Sequence, residues 1–378
     1  MKILSLNIWF DVFLREKRYA AIHTALRNLS PDVCCFQEVI PQFLDELSSN
    51  NWINDYDISL ESINEIKVNS YGTLILVKKK YNASFQYYPF NHSEMGRSLN
   101  CATITTNSED DNDKTSIKAT TTTIATCHLE SLNNSDMRKS QLEQIHELFN
   151  TVTFQTNHII INGDFNFDSY RDFKDIRKRI RSKHIEQDHL ISIMNDYTDI
   201  WTQFHSNLKG FTFDERRNLM LKAYKEESSK RNKLFFPGKY QKQKQIEMEQ
   251  QGEDDVFNFN ERDLNDPNSN TIDKKDVNYE RMRYDRTLYR PSSSSSSSIQ
   301  KLIALDVELF GDTPILNTIT SDTDMSGSLS QLFPDTSVPV SPPPKSRSNT
   351  NSNPISNHFS DPVYFSDHFG LLATFKLV

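Results

Sequence analysis

The chain contains few cysteines, no long apolar run and no excess of positive charge. Its four cysteines (Cys34, Cys35, Cys101 and Cys127) lack Cys-x-x-Cys spacing and lie in or beside apolar stretches. This argues against a disulfide framework and a structural zinc site, and favours buried, reduced thiols. No apolar segment is long enough to span a membrane, and a predicted strand begins at Lys2, which leaves no room for a signal peptide. We therefore expect a soluble, intracellular protein that does not act at a membrane.

The charge balance limits the binding partners. The 378 residues include 43 Lys and Arg and 51 Asp and Glu, a net charge of −8, so the whole protein is not a basic nucleic-acid binder. A local basic groove remains compatible with that total. One basic run, Arg177–Lys183, is typical of a DNA-backbone contact or a nuclear import signal, and equally of a solvated helix face.

Short β-branched runs alternate with amphipathic stretches in the first half of the chain, which predicts an α/β domain with sheets at its centre. Predicted helices cover Arg15–Leu29 and a segment that begins near Ser135. The predicted strands are Lys2–Ile8, Val33–Phe36, Thr73–Val77, Ser98–Thr105, Thr120–Cys127, Asn157–Asn162, Arg281–Arg290, Gln300–Phe310 and Gly370–Leu377.

Three segments have compositions that bury too little apolar surface to offset the entropy of ordering. They cover about 214–278, 291–298 and 321–361, and we expect them to be disordered surface insertions. The polar cluster around His368 has a purpose only beside the early strands. We therefore predict a single catalytic domain over residues 1–378.

Three predicted strands end in a polar cluster, and a fourth such cluster opens the last predicted strand. The clusters are Leu6-Asn7, Gln37-Glu38, Gly163-Asp164-Phe165-Asn166 and Ser366-Asp367-His368. Burying such groups without partners costs several kcal/mol, so packing alone does not account for them. We expect the strand ends to meet around a metal ion and a phosphate, as in a phosphodiester hydrolase.

Each cluster has a chemical and a purely structural interpretation. Glu38 suits Mg²⁺ as a hard oxygen ligand, or it caps a turn. Asp164 and Asn166 would face the same phosphate because residues two apart in an extended segment share a side, or they form an Asx-turn. His368 would stabilise negative charge if a partner orients it, and Asp285 is the best candidate for that partner.

A further cluster, His128-Leu129-Glu130-Ser131, follows the strand Thr120–Cys127. His128 and Glu130 share one face there, and Ser131 can donate a hydrogen bond to a phosphate. A lone histidine in such a place is more often structural. The hypothesis therefore depends on the ordered set of clusters and not on any single one.

In this order the motifs resemble the endonuclease/exonuclease/phosphatase superfamily, which is deoxyribonuclease I-like. Within it they are most similar to the tyrosyl-DNA phosphodiesterase branch. The segments that carry the resemblance are Gln37–Pro41, Met95–Leu99, His128–Ser131, Asp199–Trp201, Phe211–Asp214, Arg283–Arg286 and Ser366–Leu372.

The resemblance implies a four-layered α/β sandwich with two central mixed sheets flanked by helices. It implies Mg²⁺, with Mn²⁺ as an alternative, and metal ligands Glu38 and Asp367. It implies catalytic roles for Asn7, His128, Asp164, Asn166, Asp285 and His368. Substrate contacts would come from Trp9, Arg97, Glu130, Ser131 and Phe213.

The implied function is hydrolysis of a 5′-phosphotyrosyl bond between DNA and a trapped protein, of the topoisomerase II type, in DNA repair. The partner would be DNA with a 5′-tyrosyl or peptide adduct, and we expect a monomer in the nucleus and also in the cytoplasm. The sequence departs from the pattern in three places. Trp9 replaces a family aspartate, for which Asp11 is the nearest alternative. Phe213 replaces the tryptophan of a Tyr-Thr-Trp-Asp segment, and Asp168 replaces an arginine that touches DNA.

Five alternatives are to be weighed at this point. A neutral sphingomyelinase or an inositol-phosphate phosphatase would have the same fold with another substrate. An abasic-site endonuclease or a deadenylase would be expected to carry another motif in place of His128-Leu129-Glu130-Ser131. A non-catalytic binding protein is disfavoured because each expected catalytic position except that of Trp9 is filled.

Overall fold

Two six-stranded mixed β-sheets form the centre of the computed structural model. The structure describes residues 1–110, 113–151, 156–169, 186–235, 280–292, 301–315 and 362–378. The helices in these ranges are α1 Arg15–Leu29, α2 Pro41–Ser48, α3 Leu60–Asn69, α4 Ser135–Asn150, α5 Glu186–Ile193, α6 Ile200–Phe204 and α7 Met220–Phe235.

The strands combine segments from the whole length of the chain. The first sheet has the order β13-β14-β1-β2-β4-β3 and the second the order β5-β6-β7-β8-β12-β9, while β10 and β11 form a separate pair. The bounds are β1 Lys2–Asn7, β2 Val33–Val39, β3 Tyr56–Ile58, β4 Gly72–Lys78, β5 Ser84–Pro89, β6 Ser98–Asp110, β7 Asp113–His128, β8 His158–Asp164, β9 Thr198–Asp199, β10 Phe213–Asp214, β11 Arg281–Met282, β12 Asp285–Arg290, β13 Leu302–Phe310 and β14 Gly370–Leu377. In each sheet one parallel pair lies among antiparallel neighbours, β1 with β2 in the first and β7 with β8 in the second.

Apolar side chains pack the two sheets face to face and cover their outer faces with helices. Residues such as Ile3 and Ile75 of the first sheet meet Ile124 and Ile160 of the second in one buried cluster. A second cluster joins the first sheet to α1 and α2, and a third joins the second sheet to α4 and α5. Each fully buried Leu or Ile contributes about 1.5–3 kcal/mol. These layers confirm the predicted four-layered sandwich.

Three of the departures from the predicted elements concern segments near the polar clusters. The predicted insertion over 214–278 is wrong for residues 214–235, because Met220 and Leu221 are buried and begin helix α7. The predicted strand Arg281–Arg290 is two strands, since Arg283 and Tyr284 turn away between β11 and β12. Strand β2 continues through Gln37 and Glu38 instead of ending at Phe36. The rest of that insertion and the segment 321–361 lie outside the described residues, as do 293–298.

The sheet topology brings the polar clusters to one end of the sandwich. Asn7 pairs with Gln37 at the carboxyl ends of parallel strands β1 and β2. His128 pairs with Asp164 at the carboxyl ends of parallel strands β7 and β8. Strand β12 runs antiparallel to β8 and places Asp285 opposite Asp164. The two sheets therefore present their polar ends to the same cleft.

Candidate active site

Asn7 connects the polar ends of the two sheets. Its Nδ2 donates to Glu38 Oε1 at 3.1 Å and to Asp164 Oδ2 at 3.0 Å. Its Oδ1 accepts the backbone N–H of Trp9 at 3.0 Å, which fixes the orientation of the amide. Asn7 is 1 % exposed, so these bonds form in a low-dielectric environment and hold the two carboxylates at a set separation.

His368 is oriented by Asp285, as predicted. Its Nδ1 lies 2.8 Å from Asp285 Oδ2, and its Nε2 lies 3.9 Å from Asp164 Oδ2. Burial disfavours the charged imidazolium, but the carboxylates of Asp285, Asp164 and Asp367 outweigh it and raise the pKa of His368 well above its usual value. The histidine is therefore an imidazolium at neutral pH, with Nε2–H directed toward Asp164 and the cleft.

Two aromatic rings hold this imidazolium in place. Tyr284 stacks on it with ring centroids 5.8 Å apart, and Phe213 meets it edge-on at 5.5 Å. Phe213 also pairs with His368 through a backbone bridge. Phe213, predicted to bind substrate, is partly exposed and lines the cleft beside His368.

His128 is the second buried histidine of the cleft, and it is neutral. Burial and the adjacent Arg97 guanidinium hold its pKa well below the usual value. Arg97 Nη1 lies 2.7 Å from His128 Nδ1. Because arginine only donates, Nδ1 is the acceptor and Nε2 carries the proton. That Nε2–H lies 3.6 Å from Asp164 Oδ2.

Asp164 is an ionised carboxylate between the two histidines. Burial alone would raise its pKa, but His368, His128 and the hydrogen bonds from Asn166 and Asn7 lower it. The Asn166 backbone N–H donates to Asp164 Oδ1 at 2.8 Å, which closes an Asx-turn. The motif therefore forms the predicted Asx-turn, and this turn orients the carboxylate that the functional interpretation requires.

The turn has two unusual backbone conformations. Asn166 has φ 54° and directs its Nδ2 to Ser131 Oγ at 3.1 Å. Gly163 has φ 141°, and a Cβ there would lie 2.0 Å from the carbonyl oxygen of Cys127. Only glycine lets β8 approach β7 this closely while its φ is positive.

Glu38 and Asp367 form the most suitable metal site. Burial first and the Asp367 charge second raise the pKa of Glu38 to about 7, although the Phe10 and Asn7 hydrogen bonds lower it. Burial likewise raises the pKa of Asp367. Two partly buried carboxylates that repel each other are the donor set that a divalent cation with oxygen preference stabilises, and both remain partly accessible from the cleft.

Asp164, Asp285 and His368 also offer ligand atoms within 4.8 Å of one another. This group is a weaker metal candidate, because His368 is an imidazolium whose Nδ1 is engaged by Asp285. A protonated histidine repels a cation. The Glu38 side is therefore the more suitable place for a divalent cation, and His368 is better suited to stabilising negative charge.

Two residues predicted to contact substrate, Trp9 and Glu130, are buried in contacts with other parts of the protein. Trp9 is buried and packs edge-on against Tyr224 at 4.9 Å, because helix α7 covers the start of the β1–α1 loop. Glu130 is fully buried, and its carboxylate accepts from the backbone N–H groups of Glu94 and Met95. Glu130 therefore anchors the segment before Arg97 and does not face the cleft.

Arg97, which is buried, and Ser131 were also predicted to contact substrate, and they contact each other. Arg97 Nη2 donates to Ser131 Oγ at 2.8 Å. Ser131 is partly exposed, so its hydroxyl hydrogen remains available toward the cleft. Arg97 supplies a positive charge next to that hydroxyl, which suits a phosphate oxygen.

Sequence reasoning missed Arg18. Its buried guanidinium donates to the carbonyls of Ile8, Trp9, Asp11 and Phe13, so it organises the whole loop after β1. The sequence does contain a signal for this role. Arg18 lies one helical turn before Ile22 on the apolar face of α1, and a charged side chain on a buried face requires polar partners.

Within the described residues no helix is both long and apolar enough to cross a bilayer.

Two solved structures support the fold, and a third has a lower TM-score. TDP2 from D. rerio, complexed with single strand DNA product, superposes with a TM-score of 0.54 and 16% identity over 100% of this chain and 98% of that one. TDP2 from C. elegans gives a TM-score of 0.50 and 17% identity over 99% and 74% of the two chains. A mannosyl-6-phosphatase from Bacteroides thetaiotaomicron gives 0.48 and 12% identity over 100% and 99%.

A search of curated protein sequences finds no match to this chain. The profile of the Endonuclease/Exonuclease/phosphatase family, in contrast, matches residues 4–368, which include every cluster of the cleft. Together with the sheet order and the site geometry, this match shows that the chain belongs to the endonuclease/exonuclease/phosphatase family.

Proposed function

We propose that the protein is a Mg²⁺-dependent phosphodiesterase that hydrolyses the bond between a protein tyrosine and the 5′-phosphate of DNA. The products are a free tyrosine or peptide and a 5′-phosphate on DNA, as DNA repair of a trapped topoisomerase II-type adduct requires. Members of its family are phosphoesterases. The observation that carries the proposal is the network in which Asn7, Asp164, His368 and Asp285 are joined across both sheets.

Asp164 is the group that positions or deprotonates the attacking water. It is ionised, buried and fixed by the Asx-turn, so it is a base with a set direction. His128 Nε2–H supports its charge from one side. The His368 imidazolium supplies a hydrogen-bond donor for the phosphoryl oxygens as negative charge develops. The amides of Asn7 and Asn166 contact the phosphate only if each exchanges one of the hydrogen bonds that it donates within the protein.

A divalent cation fits Glu38 and Asp367, and when bound it would supply a positive charge that polarises the phosphoryl group. Glu38 and Asn7 share a hydrogen bond, so the metal side and the phosphate side of the cleft are positioned together. Asp285 keeps His368 charged and correctly oriented.

The substrate class is supported by the motifs and by the leaving group. The segments His128–Ser131 and Ser366–Leu372 have the form found in the tyrosyl-DNA phosphodiesterase branch. A tyrosine phenolate has a pKa of about 10, far below that of a sugar alkoxide. The reaction therefore needs no dedicated general acid, and the described cleft residues suffice. The nuclear location is part of the same proposal.

The test is a substrate panel with Mg²⁺. It comprises an oligonucleotide with a 5′-phosphotyrosyl end, the same oligonucleotide with a 5′-phosphate, sphingomyelin and an inositol polyphosphate. We expect release of tyrosine from the first alone, and loss of that release in Asp164→Asn. Turnover of sphingomyelin or inositol polyphosphate with no release of tyrosine contradicts the proposal.

A further inference from the structure

An aromatic pair beside Glu38 consists of the exposed Phe10 and the half-buried Tyr71. Phe10 is 47% exposed although its backbone lies in the loop directly after the catalytic strand β1. Its ring contacts Tyr71 at a centroid distance of 5.6 Å and an interplanar angle of 48°. Single exposed apolar residues are common on protein surfaces, so the significance of Phe10 depends on the groups that lie next to it.

The pair lies next to the groups that would hold the phosphate and the metal. The Phe10 backbone N–H donates to Glu38 Oε2 at 3.0 Å. On the other side the Arg97 guanidinium lies over the Tyr71 ring, 5.1 Å from its centroid. The aromatic pair therefore connects the metal side of the cleft with the Arg97 side.

The Phe10 ring is held on a rigid backbone and does not rely on its own packing. Arg18 binds the carbonyls of Trp9 and Asp11, the residues before and after Phe10. Arg15 Nη1 donates to the carbonyl of Phe10 itself at 3.2 Å. An exposed ring on a fixed backbone is a preorganised contact, which binds a partner without a large ordering cost.

We propose that Phe10, supported by Tyr71, is a stacking subsite for a planar aromatic ring attached to the scissile phosphate. This inference rests on the proposed function and deepens it, because such a ring is either the tyrosyl leaving group or the terminal nucleobase. Stacking of a ring on an aromatic side chain changes affinity by about 5- to 150-fold. Arg97 contacts His128 and Ser131 and lies over the Tyr71 ring. Of the two aromatic residues, Phe10 therefore offers the more open ring.

The experiment uses calorimetric binding of ligand pairs that differ only in the ring, in the presence of Mg²⁺. Phenylphosphonate is compared with methylphosphonate, and thymidine 5′-monophosphate with deoxyribose 5-phosphate. The first pair reports a leaving-group ring and the second a nucleobase. The variants are Phe10→Ala, which removes the ring, and Phe10→Trp, which keeps one. Val12→Ala is the matched control, because Val12 is 59% exposed on the same loop.

We expect the wild-type protein to prefer the aromatic member of at least one pair by about 5-fold or more. Phe10→Ala should abolish that preference, while Phe10→Trp and Val12→Ala should retain it. The pair that shows the preference identifies the source of the ring. The subsite is overturned if the wild-type protein shows no preference in either pair, or if Phe10→Ala keeps it.

Failure of the proposed function would look different. If none of the four ligands binds and no phosphodiester is hydrolysed, the phosphate site itself is refuted. If tyrosine is released from the phosphotyrosyl oligonucleotide but no ring preference exists, only the subsite is refuted.

Discussion

The Asp285→Asn substitution tests how the His368 imidazolium is maintained. The change keeps the size of the side chain and removes its negative charge. In the wild-type structure Asp285 Oδ2 lies 2.8 Å from His368 Nδ1, and both groups are buried. Without the carboxylate, burial acts on His368 with less opposition, so its pKa falls.

The expected loss is large because a buried charge-assisted hydrogen bond is replaced by a neutral one. Hydrogen bonds to charged groups contribute about 1.5–3 kcal/mol, and loss of one charge-stabilising donor lowers kcat by about 10²–10³-fold. We expect kcat to fall by that factor at pH 7.5. The fall should be greater at higher pH, because the lowered pKa of His368 moves the alkaline limb of the kcat profile to lower pH.

The assay is hydrolysis of the p-nitrophenyl ester of thymidine 5′-monophosphate from pH 6 to pH 9. Asp136→Asn is the matched control, because the Asp136 side chain is 98% exposed on helix α4, away from the cleft. A Tm measurement shows whether the variant is folded. Wild-type kcat and an unchanged pH profile in folded Asp285→Asn would refute the role given to the pair.

Three further predictions concern the metal side and the fold. Glu38→Gln should lower Mg²⁺-dependent kcat by about 10²–10³-fold. Its Tm should stay the same or rise, because the substitution removes repulsion between two carboxylates. Measurements of kcat at several Mg²⁺ concentrations and of Tm would check this, and wild-type rates would remove the metal assignment. Burial lowers the pKa of His23 to about 4. As the pH falls, His23 therefore becomes protonated in the unfolded chain before it does so in the folded protein. The free energy of unfolding, which is at its full value above about pH 6.5, should decrease by about 2 kcal/mol between pH 7 and pH 5. Urea titrations should show that His23→Phe loses this part of the pH dependence, and an equal slope in both proteins would contradict it. Gly163→Ala should lower the free energy of unfolding by at least about 3 kcal/mol, because the added Cβ would lie 2.0 Å from Cys127 O. Gly96→Ala should lower it less, because the atom nearest to its Cβ would be 3.5 Å away. Equal losses in the two variants would contradict the close approach of β8 to β7.

Much of the fold was predictable from local patterns. Helix α1 and strand β14 have the bounds that the apolar spacing predicts, because each buries one face against a sheet. Helix α7 was not predictable in this way. Its charged sequence suggested an insertion, but Met220 and Tyr224 pack on Trp9, which is more than two hundred residues away in the chain.

The candidate site was predictable as a set of residues and less so as a set of contacts. The pair of Asp285 and His368 was expected, and the structure contains it. The burial of Glu130 was not predicted, because its partners, the backbone N–H groups before Arg97, come from another strand connection. The apposition of Tyr284 and His368 likewise depends on the pairing of β10 with β11, which no local pattern encodes.

The central claim is that Glu38, Asp164 and His368 surround one metal-bound phosphoryl group. The most direct measurement is a crystal structure of the protein with Mg²⁺ and an oligonucleotide that carries a 5′-phosphate. The account predicts Mg²⁺ on the Glu38 carboxylate and the terminal phosphate within hydrogen-bond distance of Asn7, Asn166 and His368. A metal ion and phosphate bound elsewhere, with this cleft empty, would contradict it.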